Sequence, residues 1–337
     1  MKKDILVSVI MPAYNTQDTI KRSIDSVLLQ SYDNYELIIV VDGATDSTYD
    51  ICKEMQIKNN KIKLFYKENG GALWARNMGV SKAKGDYLLF LDADDTIEKD
   101  AIEKLVDIAL KSDSDLIRYR YKKIPENYVQ DEYFKNEDIV TINKEDFKTK
   151  VYPFFLKGYM LNTLCTDFVK RKFFKVSDEN NKRLSYAEDL KVNLDIFTNV
   201  NKVTFVSYPL YNYITRSDST TRTKNVKRLM NNLKDCIKVY MSFYDYLKIW
   251  GMNDKENVEY VSTRVLSEIA SLLLRIDNAK ENEDENFSSL RNEILEILNN
   301  EEIKFVIDNA KKIDEFKNHK AYSYMQKLIA KDFNNII

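Results

Sequence analysis

The chain has 337 residues, of which 44% are hydrophobic and 31% are charged, and its formal net charge is −1. This composition is typical of a globular protein large enough for two domains, or for one domain with a substantial extension. The near-zero net charge gives no support for general nucleic-acid binding through phosphate neutralisation. The only histidine is His319, which excludes histidine-based triads and histidine-rich metal sites.

The three cysteines lie far apart and form no CxxC pair, so neither a disulfide framework nor a zinc site is indicated. A reducing cytosol is the natural compartment for such thiols. The first residues pass directly into a strand-like run, and we therefore expect no signal peptide. No stretch reaches the roughly 18 apolar residues that a membrane-spanning helix needs.

Predicted strands alternate with predicted helices through the first part of the chain. Apolar runs predict strands at 6–11, 37–41, 62–66, 87–91 and 116–121, with Pro12 ending the first of them. The stripe Ile20, Ile24, Val27 and Leu28 predicts a helix capped by Asn15 or Thr16, and further helices are predicted through Trp74 and at 98–111. This alternation indicates an α/β fold with a parallel sheet flanked by helices.

Polar side chains follow the predicted strands at the points where they end. Tyr14 and Asn15 follow the first strand and Asp42 follows the second. In an open parallel sheet these positions share the carboxyl edge, where ligands bind. Helix capping alone explains Asn15, but it does not explain Tyr14. A tyrosine ring at this edge can stack on a nucleobase while Asp42 accepts a hydrogen bond from the base.

Three acids in four positions, Asp92, Asp94 and Asp95, follow the buried strand at 87–91. Carboxylate oxygens suit Mg²⁺ or Mn²⁺, which usually sit on substrate phosphates, although a solvated acidic turn explains the cluster equally well. The chain has no GxGxxG after the first strand and no GxxxxGK[ST]. A diphosphate would therefore be met by a metal and by cations such as Arg76.

The second part of the chain begins with an irregular region that contains a predicted helix at 144–156. Another helix opens at Glu188-Asp189, where Ser185 and Glu188 match a capping box that does not require Asp189. Short strands are predicted at 203–206 and 210–214, followed by a polar loop at 216–222. Helical stripes then predict a helical region at 225–337, whose aromatic residues we expect to lie in its core.

Four segments in order, 7–15, 36–46, 75–79 and 85–95, resemble family 2 of the inverting glycosyltransferases. The resemblance covers roughly residues 5–220 and implies the GT-A fold, which has a Rossmann-like, mostly parallel sheet flanked by helices. The segment 208–222 looks like the end of the catalytic domain in bacterial capsule and surface-polysaccharide members. We therefore expect a GT-A catalytic domain at 1–222 and a helical C-terminal domain at 223–337.

The resemblance also implies roles for individual residues. It implies a UDP-sugar donor, Mn²⁺ or Mg²⁺ as cofactor held by Asp94 and Asp92, and Asp189 as the catalytic carboxylate. The nucleotide-binding residues it implies are Pro12, Ala13, Tyr14, Asn15, Asp42, Arg76, Asp92 and Ala93. Arg216 and Glu188 are expected near the diphosphate or the acceptor. The chain departs from the family at Val41, where an acid is usual, and around Cys165, where a lysine is often seen.

The expected function is transfer of a sugar from a UDP-sugar to a hydroxyl of a glycan or lipid-linked glycan, with inversion at the anomeric carbon. Two alternatives stay open: a non-catalytic nucleotide-sugar-binding or assembly protein, and a sugar nucleotidyltransferase. We expect a cytoplasmic protein. The lysines Lys311, Lys312, Lys317 and Lys320 raise the alternative of peripheral contact with the inner face of an anionic membrane, and homo-oligomers stay open.

Overall fold

A computed structural model describes residues 4–126, 128–130, 133–134, 137–157, 161–175, 184, 186–215, 224–280, 287–311, 313–317 and 319–333. The chain divides into two compact units. The first comprises Met1–Lys150, Met160–Leu184 and Glu188–Ser217, and the second comprises Val151–Tyr159, Ser185–Ala187 and Asp218–Ile337.

The described residues of the first unit form a ten-stranded sheet with helices packed on it. The strands are β1 (Val7–Ala13), β2 (Tyr35–Asp42), β3 (Ile62–Lys67), β4 (Tyr87–Phe90), β5 (Thr96–Ile97), β6 (Leu116–Ile124), β7 (Tyr128–Val129), β8 (Ile139–Asn143), β9 (Asp167–Lys170) and β10 (Lys202–Ile214). The helices, with α6 belonging to the second unit, are α1 (Ile20–Leu28), α2 (Thr48–Lys58), α3 (Ala72–Lys82), α4 (Ala101–Ser112), α5 (Phe147–Lys150), α6 (Tyr152–Lys157) and α7 (Glu188–Asn199).

The strand order is β3-β2-β1-β4-β9-β6-β10-β5, with β7 paired to β6 and β8 paired to β10. Neighbours among β1 to β4 are parallel, as are β6 and β10, whereas β9 runs antiparallel to both β4 and β6. The predicted α/β class with a mostly parallel sheet is confirmed. Strand β9 was not predicted because Phe168 and Val169 are its only apolar residues between Asp167 and Lys170.

Alternate residues of the central strand β1 face opposite layers. Val7, Val9 and Met11 join a core with apolar residues of α1 and α4. Ile10 faces the other side, where an added Cβ on Gly79 of α3 would lie 2.7 Å from the Ile10 Cγ2 atom. Glycine at this position thus lets α3 lie close against the sheet.

Pro12 does not end the first strand, as the sequence had suggested. Strand β1 continues through Pro12 to Ala13, which pairs with Val41 of β2. Its pairing with β4 stops at Ile10, whose carbonyl accepts from the backbone N–H of Leu91. The backbone of Pro12, two residues after Ile10, faces this same side, where β4 has already ended. The N–H that proline lacks would therefore have had no partner in the sheet.

Two other predictions about elements were wrong. The short strands predicted at 203–206 and 210–214 form one strand, β10, whose register with β6 shifts on both sides of Pro209. Proline at such an irregularity interrupts the pattern without ending the strand. The helix predicted at 144–156 is a 3₁₀ turn followed by α5 and α6, with a break at Val151.

The second unit contains the helices that the stripes of the C-terminal region predict. They are α8 (Val226–Met241), α9 (Phe243–Ile249), α10 (Lys255–Lys280), α11 (Phe287–Leu298), α12 (Glu301–Asn309) and α13 (Tyr322–Ile329). Tyr240, Phe243, Tyr246, Trp250 and Tyr324 lie in its core as expected, whereas Phe305 is exposed. Tyr152 stacks on Trp250 at 4.1 Å between ring centroids. Among the described residues, no helix is both long and apolar enough to span a bilayer.

Candidate active site

The ends of β1, β2 and β3 lie side by side at the carboxyl edge of the sheet. Ala13 pairs with Val41, and Asp42 pairs with Lys67, so Tyr14, Asp42 and Lys67 follow one another across three neighbouring strands. The Tyr14 side chain is 49% exposed, which leaves its ring open to a ligand. The predicted neighbourhood of Tyr14 and Asp42 is therefore present.

Asp42 has more protein partners than the sequence suggested. Its Oδ1 atom accepts from the backbone N–H of Gly70 at 2.9 Å, and its Oδ2 atom accepts from Gly71 at 2.8 Å. Lys67 forms an ion pair with Oδ1. The carboxylate thus fixes the turn between β3 and α3. Because each carboxylate oxygen has two lone pairs, Oδ2 keeps the capacity to accept from a ligand.

Asn15 acts on the turn after β2 rather than as the cap of α1, contrary to our expectation. The helix begins only at Ile20, and Asn15 has a φ of 49°. Its Oδ1 atom accepts from the backbone N–H of Thr45 at 2.9 Å. The Oδ1 atom of Asp46 accepts from the Thr48 N–H at the start of α2. The Asn15 bond to Thr45 joins the loops after β1 and β2.

The acidic segment after β4 is held from the side of α1. The carbonyl of Ala93 accepts from Thr19 Oγ1 at 2.9 Å, and the carbonyl of Asp94 accepts from Arg22 at 2.8 Å. Both carbonyls are engaged, and the side chains of Asp92 and Asp94 are left partly exposed at the edge of the sheet. Exposed carboxylates on a fixed backbone can accept a cation without rearrangement of the loop.

Asp95, the next residue of this segment, is buried, with 2% of its surface exposed. Tyr211 of β10 donates to its Oδ2 atom at 2.5 Å, and the Ile214 N–H donates to Oδ1 at 2.7 Å. Burial, followed by the negative charges of Asp92 and Asp94, raises the pKa of Asp95 to about 8. Asp95 therefore ties the acidic segment to β10.

Arg76 of α3 joins the acidic segment to the start of α7. Its buried guanidinium lies 2.9 Å from Asp92 Oδ1, 3.0 Å from Asp189 Oδ1 and 4.0 Å from Glu188 Oε1. Burial alone would lower the pKa of Arg76, but the carboxylates of Asp189 and Asp92 raise it well above the usual value. We expected this cation to face a diphosphate. In the structure it pairs with protein carboxylates, and its role toward a diphosphate stays a prediction.

Glu188 and Asp189 occupy the first turn of α7. The Oδ2 atom of Asp189 accepts from the Leu164 N–H at 3.1 Å, so both of its oxygens are oriented by the protein. Burial raises the pKa of Asp189. Burial and then the adjacent Asp189 charge raise the pKa of Glu188 to about 7. The predicted capping box involves Ser185, which lies outside the described residues.

Two contributors to the site were not predicted from the sequence. The Cys165 thiol donates to Asp92 Oδ2 at 3.2 Å, which leaves Asp92 fixed from both sides by Cys165 and Arg76. Tyr211 contacts the acidic segment through Asp95. Both residues are buried, and nothing in the sequence around them distinguishes them from residues of the hydrophobic core. Arg216 is outside the described residues, and its predicted role stays a prediction.

The donor set fits a divalent cation only when substrate completes it. Within the described ranges, no three His, Cys, Asp or Glu side chains come together as a ready-made metal site. Mg²⁺ and similar ions commonly use one or two carboxylates and take their other ligands from water and substrate phosphates. Asp94 and Asp92, both partly exposed, match that arrangement.

Known proteins resemble the chain in sequence and in fold. The family described as "Glycosyl transferase family 2" matches residues 8–175. "Glycosyltransferase GlyG" of Streptococcus pneumoniae serotype 4 is 30% identical over 227 residues, which cover 65% of this chain and 74% of GlyG. The "Putative teichuronic acid biosynthesis glycosyltransferase TuaG" of Bacillus subtilis is 43% identical over 107 residues, or 32% of this chain and 42% of TuaG.

A solved structure shares the fold across nearly the whole chain. The structure of S. aureus TarS 1–349 in complex with UDP-GlcNAc superposes with a TM-score of 0.65 at 19% sequence identity. The match covers 98% of this chain and 89% of the TarS chain. At this level of identity the likeness concerns the fold, including the helical C-terminal part.

Proposed function

Because the chain belongs to glycosyl transferase family 2, we propose that it moves a sugar from a UDP-sugar to a hydroxyl of a glycan or lipid-linked glycan in surface-polysaccharide biosynthesis. The UDP-GlcNAc in the TarS complex and the name of TuaG support the donor class and the pathway class. The observation that carries the proposal is the placement of two acid groups, Asp92–Asp94 and Glu188–Asp189, on either side of the buried Arg76.

The donor would lie along the carboxyl edge of the sheet. The exposed ring of Tyr14 stacks on the base, and Asp42 accepts from its N–H edge. Pro12 and Ala13 end β1 beside this site, and Asn15 follows them, although Asn15 mainly supports the turn at Thr45. These residues set the direction of the nucleotide, so that its diphosphate extends toward Asp92 and Asp94.

A divalent ion, Mn²⁺ or Mg²⁺, would be held by Asp94 and Asp92 and would stabilise negative charge on the leaving diphosphate. The protein prepares Asp92 for this role. Arg76 and Cys165 hold one oxygen each, which fixes the carboxylate plane. Ala93 is buried between the two acids, and its carbonyl bond to Thr19 keeps the segment in place.

Asp189 would accept the proton of the acceptor hydroxyl. As the acceptor oxygen bonds to the anomeric carbon, the bond from that carbon to the diphosphate oxygen breaks and the proton passes to the carboxylate. Arg76 and the Leu164 N–H orient Asp189, and each oxygen retains a lone pair for the proton. Glu188 is the alternative base, because its side chain is 19% exposed and its pKa is near 7.

The rival functions need different sites. A non-catalytic nucleotide-sugar-binding protein has no use for a second, oriented carboxylate such as Asp189. A nucleotidyltransferase would attack phosphorus and release pyrophosphate. We place the chemistry in residues 1–222 and assign acceptor handling or association to the helical domain at 223–337. The exposed Lys311, Lys317 and Lys320 support contact with the cytoplasmic face of an anionic membrane, whereas Lys312 lies outside the described residues.

The direct test is a panel of nucleotide-sugars with Mn²⁺, scored for slow donor hydrolysis in the absence of acceptor. Release of UDP from one or more UDP-sugars, abolished by EDTA, is the expected result. Release of pyrophosphate would show a nucleotidyltransferase. Tight nucleotide-sugar binding without any turnover, including with glycan acceptors, would show a binding or assembly protein.

A further inference from the structure

Lys67 and Asp42 form a buried ion pair at the nucleotide edge of the sheet. They are register partners at the ends of β3 and β2, and their side chains are only 11% and 4% exposed. Removing two charges from water is costly, and a buried pair often gives less stability than apolar residues of the same size. A pair in this position therefore calls for an explanation other than stability.

The turn between β3 and α3 does not depend on Lys67 alone. The backbone N–H groups of Gly70 and Gly71 already donate to Asp42. The Lys67 ammonium group is itself fixed, since it also donates to the carbonyl of Glu68 and lies 4.8 Å from the ring centroid of Trp74. An added Cβ on Gly70 would lie 2.9 Å from Lys67 Nζ, so glycine there leaves room for the amine.

The pair presents an acceptor and a donor side by side. With three donors directed at it, the Asp42 carboxylate offers a ligand only lone pairs. An ammonium group has three N–H donors, and two of those on Lys67 have protein acceptors, Asp42 and Glu68. Uracil matches this pattern because its ring N–H is flanked by carbonyls. Cytosine presents the reverse, a ring nitrogen that accepts beside an amino group that donates.

We propose that Lys67 is a specificity-determining residue for the nucleobase. Its ammonium group keeps Asp42 an acceptor and donates to a carbonyl of the base, so that the site binds uracil and rejects cytosine. This inference rests on the proposed use of a nucleotide-sugar. It adds a residue on β3 to the contacts from Tyr14 on β1 and Asp42 on β2. Guanine offers a ring N–H beside one carbonyl on a larger ring, so GDP reports separately on the size of the site.

The test is calorimetric titration of the full chain with UDP, CDP and GDP in the presence of Mn²⁺. Wild-type protein should bind UDP at least about tenfold more tightly than CDP, as one charge-assisted hydrogen bond permits. In Lys67→Met the UDP affinity should fall about tenfold while the CDP affinity changes by less than about threefold. Lys63→Met is the matched control, because Lys63 lies exposed on the same strand and donates only to the Asn60 carbonyl.

Lys67→Gln provides a second neutral variant in which an amide still donates to Asp42. Because an amide can both donate and accept, the ratio of UDP to CDP affinity should approach one. Equal losses for UDP and CDP in both variants would overturn the inference and leave Lys67 with a role in the turn alone. An unchanged UDP preference would also overturn it. Failure of wild-type protein to bind any of the three nucleotides would instead count against the proposed function.

Discussion

Arg76 contacts carboxylates that lie far apart in the sequence. Its guanidinium lies within 3.0 Å of both Asp92 and Asp189, and within 4.0 Å of Glu188. The side chain is 5% exposed, so these acids share one cation in a poorly hydrated environment. Neutralisation by Arg76 allows the acids that we propose for metal binding and for proton acceptance to be close without strong mutual repulsion.

Replacing Arg76 by methionine should lower the free energy of unfolding by about 3–5 kcal/mol, because Asp92, Glu188 and Asp189 lose their common buried cation. Urea denaturation measures this change. Arg22→Met is the matched control: Arg22 is exposed and contacts the same acidic segment only through the Asp94 carbonyl. Its effect should stay within about 0.5 kcal/mol. Equal effects of the two variants would contradict the assigned role of Arg76.

Asp189→Asn tests the identity of the base. We expect kcat to fall by roughly 10²–10⁴-fold, since asparagine cannot accept the acceptor proton. The affinity for UDP should change little, because Asp189 is assigned to the acceptor side. Loss of one of its two bonds, to Arg76 or to the Leu164 N–H, should cost about 1–3 kcal/mol of stability.

Glu188→Gln is the companion variant for the base. Glutamine keeps the shape of the Glu188 side chain and removes only its charge. Because that charge acts on Asp189 indirectly, kcat should fall by less than about tenfold. If Glu188→Gln inactivates the enzyme and Asp189→Asn retains turnover, the base is Glu188 and Asp189 only positions Arg76. Steady-state kinetics with one donor and one acceptor distinguish these outcomes.

Asp95 should make stability fall as pH rises in metal-free protein. Its folded-state pKa of about 8 lies above the ordinary value of 3.8, so the folded protein holds this proton more tightly than the unfolded chain does. The corresponding stability is complete below about pH 4 and is lost as pH rises through about 8. Asp95→Asn, which carries no titrating group, should remove this part of the pH dependence.

The measurement for Asp95 is urea denaturation in EDTA at about pH 5 and about pH 8.5, on either side of the pKa. The wild-type protein should lose more unfolding free energy between these pH values than Asp95→Asn loses. Asp107→Asn, at an exposed position of α4, should behave like wild type. Parallel pH profiles for wild type and Asp95→Asn would show that Asp95 does not titrate in this range.

At the scale of elements, the turn into α7 has a strained residue. Ala187 has a φ of 58°, in the region that favours glycine, and it precedes Glu188 and Asp189 directly. The turn fixes the direction in which both carboxylates leave the helix. Strain at such positions persists where the surrounding structure determines the conformation.

Two substitutions at Ala187 should have opposite effects. Ala187→Gly removes the Cβ clash but adds chain entropy to the unfolded state, and we expect a net gain of about 0.5–1 kcal/mol. Ala187→Val places a β-branched side chain at positive φ and should destabilise by more than about 1 kcal/mol. Urea denaturation measures both. A loss of stability in Ala187→Gly would show that this φ is not a source of strain.

The sequence predicts strands and helices well where apolar runs are long. It predicts them poorly where pairing with a neighbouring strand decides whether a segment is a strand and where that strand ends. The apolar runs at 37–41 and 87–91, in β2 and β4, are uninterrupted, and Ser8 and Lys63 are the polar residues within the runs that predict β1 and β3. Pro12 lies within β1 because β4 has already ended beside it, and Pro209 lies within β10 at a register shift. Neither circumstance is visible in the local sequence. The short β9 pairs with β4 and β6 although its own residues carry no strand pattern.

The same limit applies to the site. Motif positions such as Asp42, Asp92 and Asp189 were identified from their place after strands or from family resemblance. Arg76 was also identified, but its ion pairs with Asp92 and Asp189 were not. Cys165 and Leu164 were missed as partners because they come from elements that are remote in sequence. A carboxylate after a strand can be recognised in the sequence as a candidate site residue. The buried groups that orient it are of types found in every protein core, so the sequence does not distinguish them.

At the scale of the whole molecule, the assigned residues all belong to one compact unit. Tyr14, Asp42, Arg76, Asp94 and Asp189 lie within the ranges of the first unit. The second unit consists of helices around its own aromatic core. Compact units of one chain can differ in stability.

Ligand should stabilise the first unit selectively. At a free concentration of about 100 times Kd, UDP with Mn²⁺ adds roughly 2.7 kcal/mol to the state that binds it. For a unit of this size, that corresponds to a rise of about 5–10 °C in the midpoint of its transition. Differential scanning calorimetry of the full chain should show one transition that moves with UDP and Mn²⁺, and a helical transition that stays in place.

In Asp94→Ala, which loses the proposed metal ligand, neither transition should move. If both transitions shift together in wild type, the helical domain contributes to nucleotide binding or unfolds cooperatively with the catalytic domain, and the assignment of the donor site to residues 1–222 alone is wrong.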